Sequence, residues 1–393
     1  MSQGWEIKKL GEVTEILNGG TPKTNIAEYW DGEIHWITPS DLGKLTKPTV
    51  DYTTRKITSL GLEKSSAKIF PENSVILSTR APIGHLAINE VPMSTNQGCR
   101  GIVPSKKIDT WFLYYFLKKN VEFLDSLGTG TTFKELSTKS LAGVEILLPP
   151  LPEQQRIVTI LEKTFAAIDQ AKVNAKQNLK NAKELFESYL QGVFEKKGEG
   201  WEEQSLGKVY DVRDGTHDSP KYQEQGFPLI TSKNLKKDLL NYDNVNYISE
   251  LDYININKRS KVDKGDILFA MIGTIGNPVV IQDEPDFAIK NVALFKVPKG
   301  QDSYFLKYYL DSKPTIDKMI SDAKGTTQKF VGLGYLRGFK ILIPPLSEQQ
   351  IIVKKLDLLS AETKRLEAIY KQKINNLEEL KKSILQKAFS GEL

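Results

Sequence analysis

The chain has 393 residues, 39% of them apolar, which is enough for two or more domains with ordinary hydrophobic cores. Its apolar runs are too short for a membrane span and its polar N-terminus lacks the apolar region of a signal peptide, so we expect a cytoplasmic protein. One cysteine and three histidines without metal-ligand spacing predict a reduced, metal-free protein, and the net charge of +5 is mild for a nucleic-acid binder.

The first 150 residues predict a mixed α/β domain. Short apolar runs at 74–80 and 144–150 are typical of strands, and the segment 110–120 is typical of a helix. A polar stretch at 19–42 begins with the turn sequence GGTP and ends in WITPSDL. These patterns predict the element types but not the strand order.

The segment that follows predicts one long helix. No glycine or proline occurs from Glu153 to Gln191, and Pro152 lies where proline suits the first turn of a helix. About forty residues at ~1.5 Å per residue make a rod of roughly 60 Å. A helix of that length needs a partner to bury its apolar face.

From residue 200 the chain repeats itself. The motifs that recur are GWEIKKLGEV at 4–13 with GWEEQSLGKV at 200–209, WITPSDL at 36–42 with LITSKNL at 229–235, GTGTTFK at 128–134 with KGTTQK at 324–329, and LLPPLPEQQRIV at 147–158 with LIPPLSEQQIIV at 342–353. The copies agree at their ends and differ in their middles. The sequence therefore predicts a tandem duplication, a shared frame that carries two different inserts.

The second copy predicts the same kinds of element. Strands are expected at 266–273 and 339–345, a helix at 303–312, and a second long helix from Glu348 to Ser390. Ser347 and Gln350 fit a capping box at its start. The predicted domains are residues 1–150 and 199–345, with long helices at 151–198 and 346–393.

Apolar residues at heptad spacing predict the face on which the two long helices meet. The predicted helix-pair interface consists of Leu161, Ile168, Ala175, Ala182, Tyr189, Leu356, Leu366, Tyr370, Leu377 and Ile384. Small Ala175 and Ala182 suit the larger Tyr370 and Leu377 in a closely packed pair. The alternative is that each stripe packs only on its own domain.

The order of the repeats predicts how the helices run. The second helix ends where a unit beginning with Gly4 and Trp5 could start again, so the repeat is circular. Two such units related by a pseudo-twofold axis form an antiparallel coiled coil with a mixed α/β domain at each end. DNA is itself pseudo-twofold, so two domains of this kind suit two half-sites.

These features together resemble a specificity (S) subunit of a type I restriction-modification system over essentially the whole chain. The resemblance rests on the doubled PPLPEQQRIV and PPLSEQQIIV with their helices, on GTHDSPKY at 215–222, and on GGTPKTNIAEYWDGEIHWITPSDL at 19–42. It implies two target-recognition domains, each reading one half of a bipartite double-stranded DNA site. It further implies that the helices set the spacer and dock two modification subunits, with restriction subunits in the full complex.

The resemblance also implies that this chain catalyses nothing and binds no cofactor. S-adenosylmethionine, ATP and Mg²⁺ are expected on the partner subunits. The residues agree, since the sequence has neither the [DN]-P-P-[FY] motif that grips a flipped base nor a G-x-x-x-x-G-K-[ST] phosphate loop. We interpret the glycine-rich runs GTGTT and MIGTIGN (271–277) as turns.

Polar loops supply the candidate DNA contacts, because Arg, Lys, Asn and Gln hydrogen-bond base edges while their neighbours hold phosphates. In the first domain the candidates are Thr21, Lys23, Thr24, Ser40, Lys44, Arg80, Thr131, Thr132 and Lys134. In the second domain they are Thr216, His217, Lys221, Tyr222, Ser232, Lys233, Asn234, Lys258, Arg259, Thr327, Gln328 and Lys329. Each of them has a solvated loop or turn residue as its alternative.

Two other classes of function stay open at this point. One is a self-sufficient DNA methyltransferase or nuclease, which would need methyl transfer or cleavage by the isolated chain. The other is a coiled-coil scaffold that binds only proteins, which would leave two differing polar-looped domains without a purpose. Because WITPSDL and LITSKNL place different polar residues on one frame, the leading hypothesis predicts two different half-sites and an asymmetric target.

Overall fold

A computed structural model of the chain describes residues 4–130, 134–195, 198–326 and 328–393. By its internal contacts the chain divides into two units, Met1–Ala175 with Gln372–Leu393, and Lys176–Lys371. Each unit combines one globular segment with part of each long helix. No helix of the described residues is long and apolar enough to cross a membrane.

The first segment, residues 4–150, is mixed α/β as predicted. Its strands are β1 (Glu6–Lys9), β2 (Thr14–Asn18), β3 (Trp30–Ile37), β4 (Thr49–Val50), β5 (Arg55–Ile57), β6 (Val75–Thr79), β7 (Ile83–Asn89), β8 (Met93–Thr95), β9 (Cys99–Pro104) and β10 (Glu145–Leu148). Its helices are α1 (Leu10–Val13), α2 (Pro39–Leu42), α3 (Ser59–Glu63), α4 (Thr110–Lys119), α5 (Val121–Ser126) and α6 (Thr138–Ala142), with a 3-10 turn at Ala27–Tyr29. The first long helix, α7 (Leu151–Glu195), follows directly.

The described residues of this segment form three sheets. One has the strand order β2-β9-β6-β7-β4, and a second has the order β5-β3-β8 with β3 and β8 parallel. The third is a ribbon in which β1 pairs antiparallel with β10, so that Glu6 lies opposite Leu148. This ribbon brings the start of the segment to its end, beside the start of α7.

The second segment, residues 198–345, repeats the frame. Its strands are β11 (Glu202–Ser205), β12 (Asp211–Asp214), β13 (Phe227–Ile230), β14 (Leu235–Lys236), β15 (Leu239–Leu240), β16 (Asn246–Ile248), β17 (Ile267–Ala270), β18 (Gly276–Val280), β19 (Ala288–Ile289), β20 (Val292–Lys296) and β21 (Lys340–Ile343). Its helices are α8 (Leu206–Val209), α9 (Glu250–Ser260), α10 (Ser303–Asp311), α11 (Lys313–Asp322) and α12 (Leu333–Gly338), with a 3-10 turn at Ser232–Asn234. The second long helix, α13 (Leu346–Ser390), completes the chain.

The sheets of the second segment have the order β12-β20-β17-β18, β16-β13-β19 and β14-β15. Strands β13 and β19 are parallel, as β3 and β8 are, and β11 pairs with β21 as β1 pairs with β10. The predicted duplication is therefore confirmed at the level of strand pairing.

A buried glutamine explains the doubled PPL-x-EQQ motif. Gln154 is fully buried; its Nε2 donates to the carbonyls of Lys107 (3.0 Å) and Pro149 (2.8 Å), and its Oε1 accepts from the backbone N–H of Asp109 (2.8 Å). The side chain thereby joins the start of α7 to the end of β10 and to the N-cap of α4.

Gln349 holds the equivalent position at the start of α13. Its Nε2 donates to the Pro344 carbonyl (2.9 Å) and to Gln301 Oε1 (2.9 Å), and its Oε1 accepts from the backbone N–H of Asp302 (2.9 Å). Asp302 caps α10 as Asp109 caps α4. The motif is repeated because each copy fastens a long helix to its own segment.

The start of α13 corrects one expectation. The helix begins at Leu346, and the Pro345 carbonyl accepts from the backbone N–H groups of Glu348 (2.9 Å) and Gln349 (3.1 Å). Ser347 is thus the second helical residue, and the capping box predicted from Ser347 and Gln350 is wrong. Pro345 therefore holds the N-cap position, two residues before the serine that the sequence suggests.

The long helices run antiparallel to each other in both units, as predicted. In the first unit Lys381 Nζ lies 2.8 Å from Asp169, and Arg156 donates to the Leu393 carbonyl at 2.6 Å, so residue numbers rise on one helix as they fall on the other. In the second unit Lys183 Nζ lies 3.8 Å from Glu367, while Leu190 shares a buried cluster with Leu356, which gives the same direction. The pseudo-twofold relation between the units stays a prediction.

Most residues of the predicted helix-pair interface lie on the covered faces. Leu161, Ile168, Ala175, Ala182 and Leu356 are buried, and Leu366, Tyr370, Leu377 and Ile384 are half-buried. Tyr189 departs from the prediction: it is 37% exposed, and Leu190, at 5%, takes the buried position. A strict heptad drifts by about 20° per repeat on a straight helix, so the apolar face moves onto the next residue after several turns.

The alternative that each stripe packs only on its own domain is also partly correct. Phe165 of α7 packs edge-on against Tyr115 of α4, with ring centroids 5.6 Å apart, while Lys381 of α13 lies 4.9 Å over the Phe165 ring. At the end of α13, Phe389 packs on Phe112, 4.9 Å between centroids. In the first unit each helix therefore contacts both its partner helix and the globular segment.

Candidate nucleic-acid interface

Matched turns occur at the candidate interface of both segments. In the first, Thr38 donates to Asp41 Oδ2 from its backbone N–H (3.0 Å) and from its hydroxyl (2.7 Å). In the second, Thr231 makes the same two hydrogen bonds to Asn234 Oδ1, both at 2.9 Å. The turn is conserved between the copies while the residues inside it differ.

This geometry corrects the prediction for Asn234. The side chain is 5% exposed, and its Nδ2 donates to the Asn241 carbonyl at 3.0 Å in addition to the bonds from Thr231. A side chain whose donors and acceptors are used within the turn is not available to a base edge. The residue before it, Lys233, is exposed, and so is Ser40, which precedes Asp41 at the same place in the first copy.

The other candidates of the first segment lie on exposed loops. Thr21, Lys23 and Thr24 follow β2, and Lys44 follows α2; all four are exposed. The Thr21 hydroxyl donates to Gln97 Oε1. Thr131 and Thr132 lie outside the described residues.

Arg80 and Lys134 come together at one loop of the first segment, but both are already paired. Arg80 lies 3.5 Å from Glu135, which Arg100 also contacts at 3.5 Å, and Lys134 Nζ lies 2.8 Å from Asp125. Exposed ion pairs contribute only about 0–1 kcal/mol. A phosphate group could therefore replace either acidic partner at small cost.

A cleft of about 1090 Å³ lies in the second segment, and it collects much of the predicted set. Its walls come from the Thr231 turn, from residues 241–246, from the connection between β17 and β18, and from Gln328. The predicted residues that line it are Tyr222, Ser232, Lys233, Asn234 and Gln328. Segments far apart in sequence thus meet at one surface.

Further lining residues were missed by the sequence analysis. They are Lys236, Asn241, Asp243, Asn244, Asn246, Thr274, Asn277, Lys290 and Asn291, with apolar Leu229, Leu235 and Ile272 and with Gly273. The asparagine-rich stretch NYDNVNY at 241–247 was the signal that could have found several of them. Three lysines against one aspartate give the described lining a positive charge suited to a polyanion.

A buried carboxylate organises a second polar group beside this cleft. Asp214 is 5% exposed and accepts from Arg259 and from His217 Nε2, the latter at 2.9 Å. His217 Nδ1 lies 2.8 Å from Asn291 Oδ1, and Asn291 also lines the cleft. The arrangement holds two exposed basic side chains on one buried carboxylate, which suits phosphate binding.

The remaining candidates of the second segment lie around these two groups. Thr216 and Arg259 line a smaller cleft of about 330 Å³. Lys221 and Lys258 are exposed, with Lys258 Nζ 2.9 Å from Asn255 Oδ1, and Lys329 Nζ donates to the Ile320 carbonyl at 3.4 Å. Thr327 lies outside the described residues.

Catalysis by the described residues would need reactive groups such as metal ligands or a thiolate. No cluster of His, Cys, Asp and Glu among them could hold a metal ion. Burial raises the pKa of the Cys99 thiol well above its usual range, so at neutral pH the group stays a thiol and is a poor nucleophile.

Similarity to known proteins extends over nearly the whole chain. A family model described as the type I restriction modification DNA specificity domain matches twice, at residues 2–181 and 198–379. The chain is 28% identical to the type I restriction enzyme MjaIX specificity subunit of Methanocaldococcus jannaschii, covering 99% of this chain and 93% of that one. It is 24% identical to the EcoKI specificity subunit of Escherichia coli K12, covering 100% and 90%.

Solved structures share the fold. A chain from work on complex assembly and conformational transition of the type I R-M system superposes with a TM-score of 0.77 at 20% identity, covering 100% of this chain and 99% of that one. The HsdS subunit from Thermoanaerobacter tengcongensis superposes with a TM-score of 0.70 at 21% identity, covering 100% and 98%.

Proposed function

Because the chain belongs to the type I restriction modification DNA specificity family, we propose that it supplies the DNA sequence specificity of such a complex. Each of its two globular segments reads one half of a bipartite double-stranded DNA site. The chain itself catalyses nothing.

One observation carries this proposal: the same turn occurs in both copies with different exposed residues. Thr38 with Asp41, and Thr231 with Asn234, build one backbone frame, on which Ser40 stands in the first copy and Lys233 in the second. A serine and a lysine differ in charge and in hydrogen-bonding groups. Because the two copies share a backbone frame but carry different side chains, they are suited to two different half-sites. This supports an asymmetric target.

The long helices carry the second part of the proposal. They set the spacer between the half-sites and dock two modification subunits, with restriction subunits joining in the full complex. S-adenosylmethionine, ATP and Mg²⁺ bind to those partners and not to this chain. The cytoplasmic location expected from the sequence stays a prediction.

The proposal is tested by mapping adenine methylation across the genome of cells that express this chain with its modification subunit, against cells that lack the chain. We expect a gap-separated, asymmetric motif that appears only when the chain is present. A soluble complex that produces no motif would favour a protein-binding scaffold. Methyl transfer by the isolated chain would favour the self-sufficient enzyme.

A further inference from the structure

The cleft of the second segment is rich in side-chain amides, but most of them serve the fold. Asn234 completes the Thr231 turn, Asn241 bonds Asp243, Asn277 donates to the Leu235 carbonyl at 3.2 Å, and Asn291 bonds His217. These four amides are therefore committed to partners within the protein.

Three amides that line the cleft are not committed in this way. Asn244, Asn246 and Gln328 are exposed, and no side chain or backbone group of the described residues hydrogen-bonds to their amides. Each keeps a donor and an acceptor free on one amide group.

Local structure explains only one of the three. Asn244 has a φ of 56°, a left-handed conformation that asparagine tolerates, so a turn alone could account for it. Asn246 begins β16 opposite Leu229, where strands rarely use asparagine. Gln328 lies against Gly273, whose φ is 78° and where a Cβ would come within 3.0 Å of the glutamine Nε2. Neither Asn246 nor Gln328 is required by its backbone.

The chemistry of a free amide matches one base. Asn and Gln pair with adenine in the major groove, accepting from N6 and donating to N7, whereas guanine is read mainly by arginine or lysine. The described lining of the cleft has no arginine, and its lysines suit phosphate groups as point charges.

We propose that Asn246 and Gln328, supported by Asn244, are specificity-determining residues that read A·T base pairs in the half-site of the second segment. Lys233 and Lys236 hold the flanking phosphates. This inference rests on the proposed function and names the base chemistry of one half of its target.

The test uses the full complex and the methylation motif of the wild type. Asn246→Ala and Gln328→Ala should each relax the motif at an A·T pair, in the same half-site, while the other half-site stays unchanged. With purified complex, the ratio of Kd values for duplexes with G·C and A·T at that position should fall by roughly 5- to 150-fold. Gln204→Ala is the matched control, because Gln204 lies in β11 outside the cleft and should leave the motif intact.

Isosteric variants keep the test decisive if an alanine variant folds poorly. Asn246→Asp and Gln328→Glu replace an amide by an acceptor-only group, which favours the cytosine N4 donor. The relaxed position should then shift from adenine towards cytosine. An unchanged motif in all variants, or relaxation at G·C pairs only, overturns the inference while leaving the proposed function standing. A wild-type complex without any motif overturns both.

Discussion

A single buried glutamine at the start of each long helix illustrates how a repeated motif follows from hydrogen bonding. Gln154 and Gln349 each bond three backbone or side-chain groups, and in each case one of the three is the carbonyl of a buried proline, Pro149 or Pro344. Leaving a buried donor or acceptor unsatisfied costs about 1–3 kcal/mol per group. We therefore assign these glutamines to the attachment of helix to segment and not to DNA contact.

Replacement of either glutamine by alanine should lower the free energy of unfolding by about 2–4 kcal/mol, because a buried carbonyl and two further hydrogen-bonding groups lose their partner. The measurement is urea unfolding followed by circular dichroism. Gln155→Ala and Gln350→Ala change exposed neighbours in the same motif and should stay within about 0.5 kcal/mol of the wild type. Equal effects at buried and exposed positions would contradict this assignment.

Asn234 and Lys233 are adjacent but should respond in opposite ways. Asn234→Ala removes the acceptor of the Thr231 turn and should cost about 1–3 kcal/mol of stability. Lys233→Ala should leave stability unchanged, weaken DNA binding by the complex, and reduce the slope of log K against log salt by about 1. Measuring unfolding and salt-dependent DNA binding on both variants separates the two roles. If Lys233→Ala left the salt slope unchanged, Lys233 would not contact phosphate.

At the scale of the element, ion pairs join the β14–β15 turn to two helices. Asp238, at the tip of this turn, lies 2.5 Å from Lys307 of α10 and 3.1 Å from Lys364 of α13. Burial alone would raise the pKa of the Asp238 carboxyl, but the hydrogen bonds and charges of the two lysines outweigh it and lower the pKa below its ordinary value of 3.8. The ionised carboxylate therefore stabilises the fold.

Asp238→Asn should lower stability by about 1 kcal/mol at pH 7, since the charge-assisted bonds are weakened while the left-handed turn still suits asparagine. A lowered folded-state pKa gives stability that is present above pH 3.8 and lost as the pH falls through the folded value. The difference between variant and wild type should thus shrink below pH 3.8. Glu224→Gln, on an exposed loop, is the control. A stability difference between Asp238→Asn and the wild type that grew on acidification would contradict the ion pairs of Asp238.

Sequence patterns predicted the helices and strands better than the contacts between them. The helices at 110–120 and 303–312 and the two long helices were recognised because their apolar spacing is local. Tyr189 was placed on the covered face because a heptad was extended too far along a straight helix. The prediction of a capping box failed because the Pro345 carbonyl accepts the first helical hydrogen bonds. No sequence pattern indicates such an acceptor.

The candidate interface could be predicted only in part for a similar reason. Thr231, Asn246, Gly273 and Gln328 lie far apart in sequence, and the pairing of β13 with β16 helps to bring them to one cleft. No local pattern contains that pairing. Asn234 was assigned to DNA because its residue type suits base recognition, whereas its burial within a turn is visible only in the folded chain.

At the scale of the whole molecule, the long helices should fix the distance between half-sites. The division between the two units falls at Ala175–Lys176 and at Lys371–Gln372. Inserting four residues after Lys176 and four after Tyr370 adds about one helical turn to each helix. The methylated motif should then keep both half-sites and gain a longer spacer. The same insertion at the exposed Gly300 loop should not change the spacer, and an unchanged motif in the double insertion would contradict the role of the helices.

The central claim is that each segment reads its half-site independently on a shared frame. It is tested most directly by the methylation motif of a chain in which residues 200–345 are replaced by a second copy of residues 4–150, expressed with the modification subunit. The matching Gly-Trp and Pro-Pro junctions make the exchange possible. We predict that the asymmetric motif of the wild type becomes a palindrome built from its first half-site. A folded chain that keeps the wild-type motif, or methylates an unrelated one, would contradict the account.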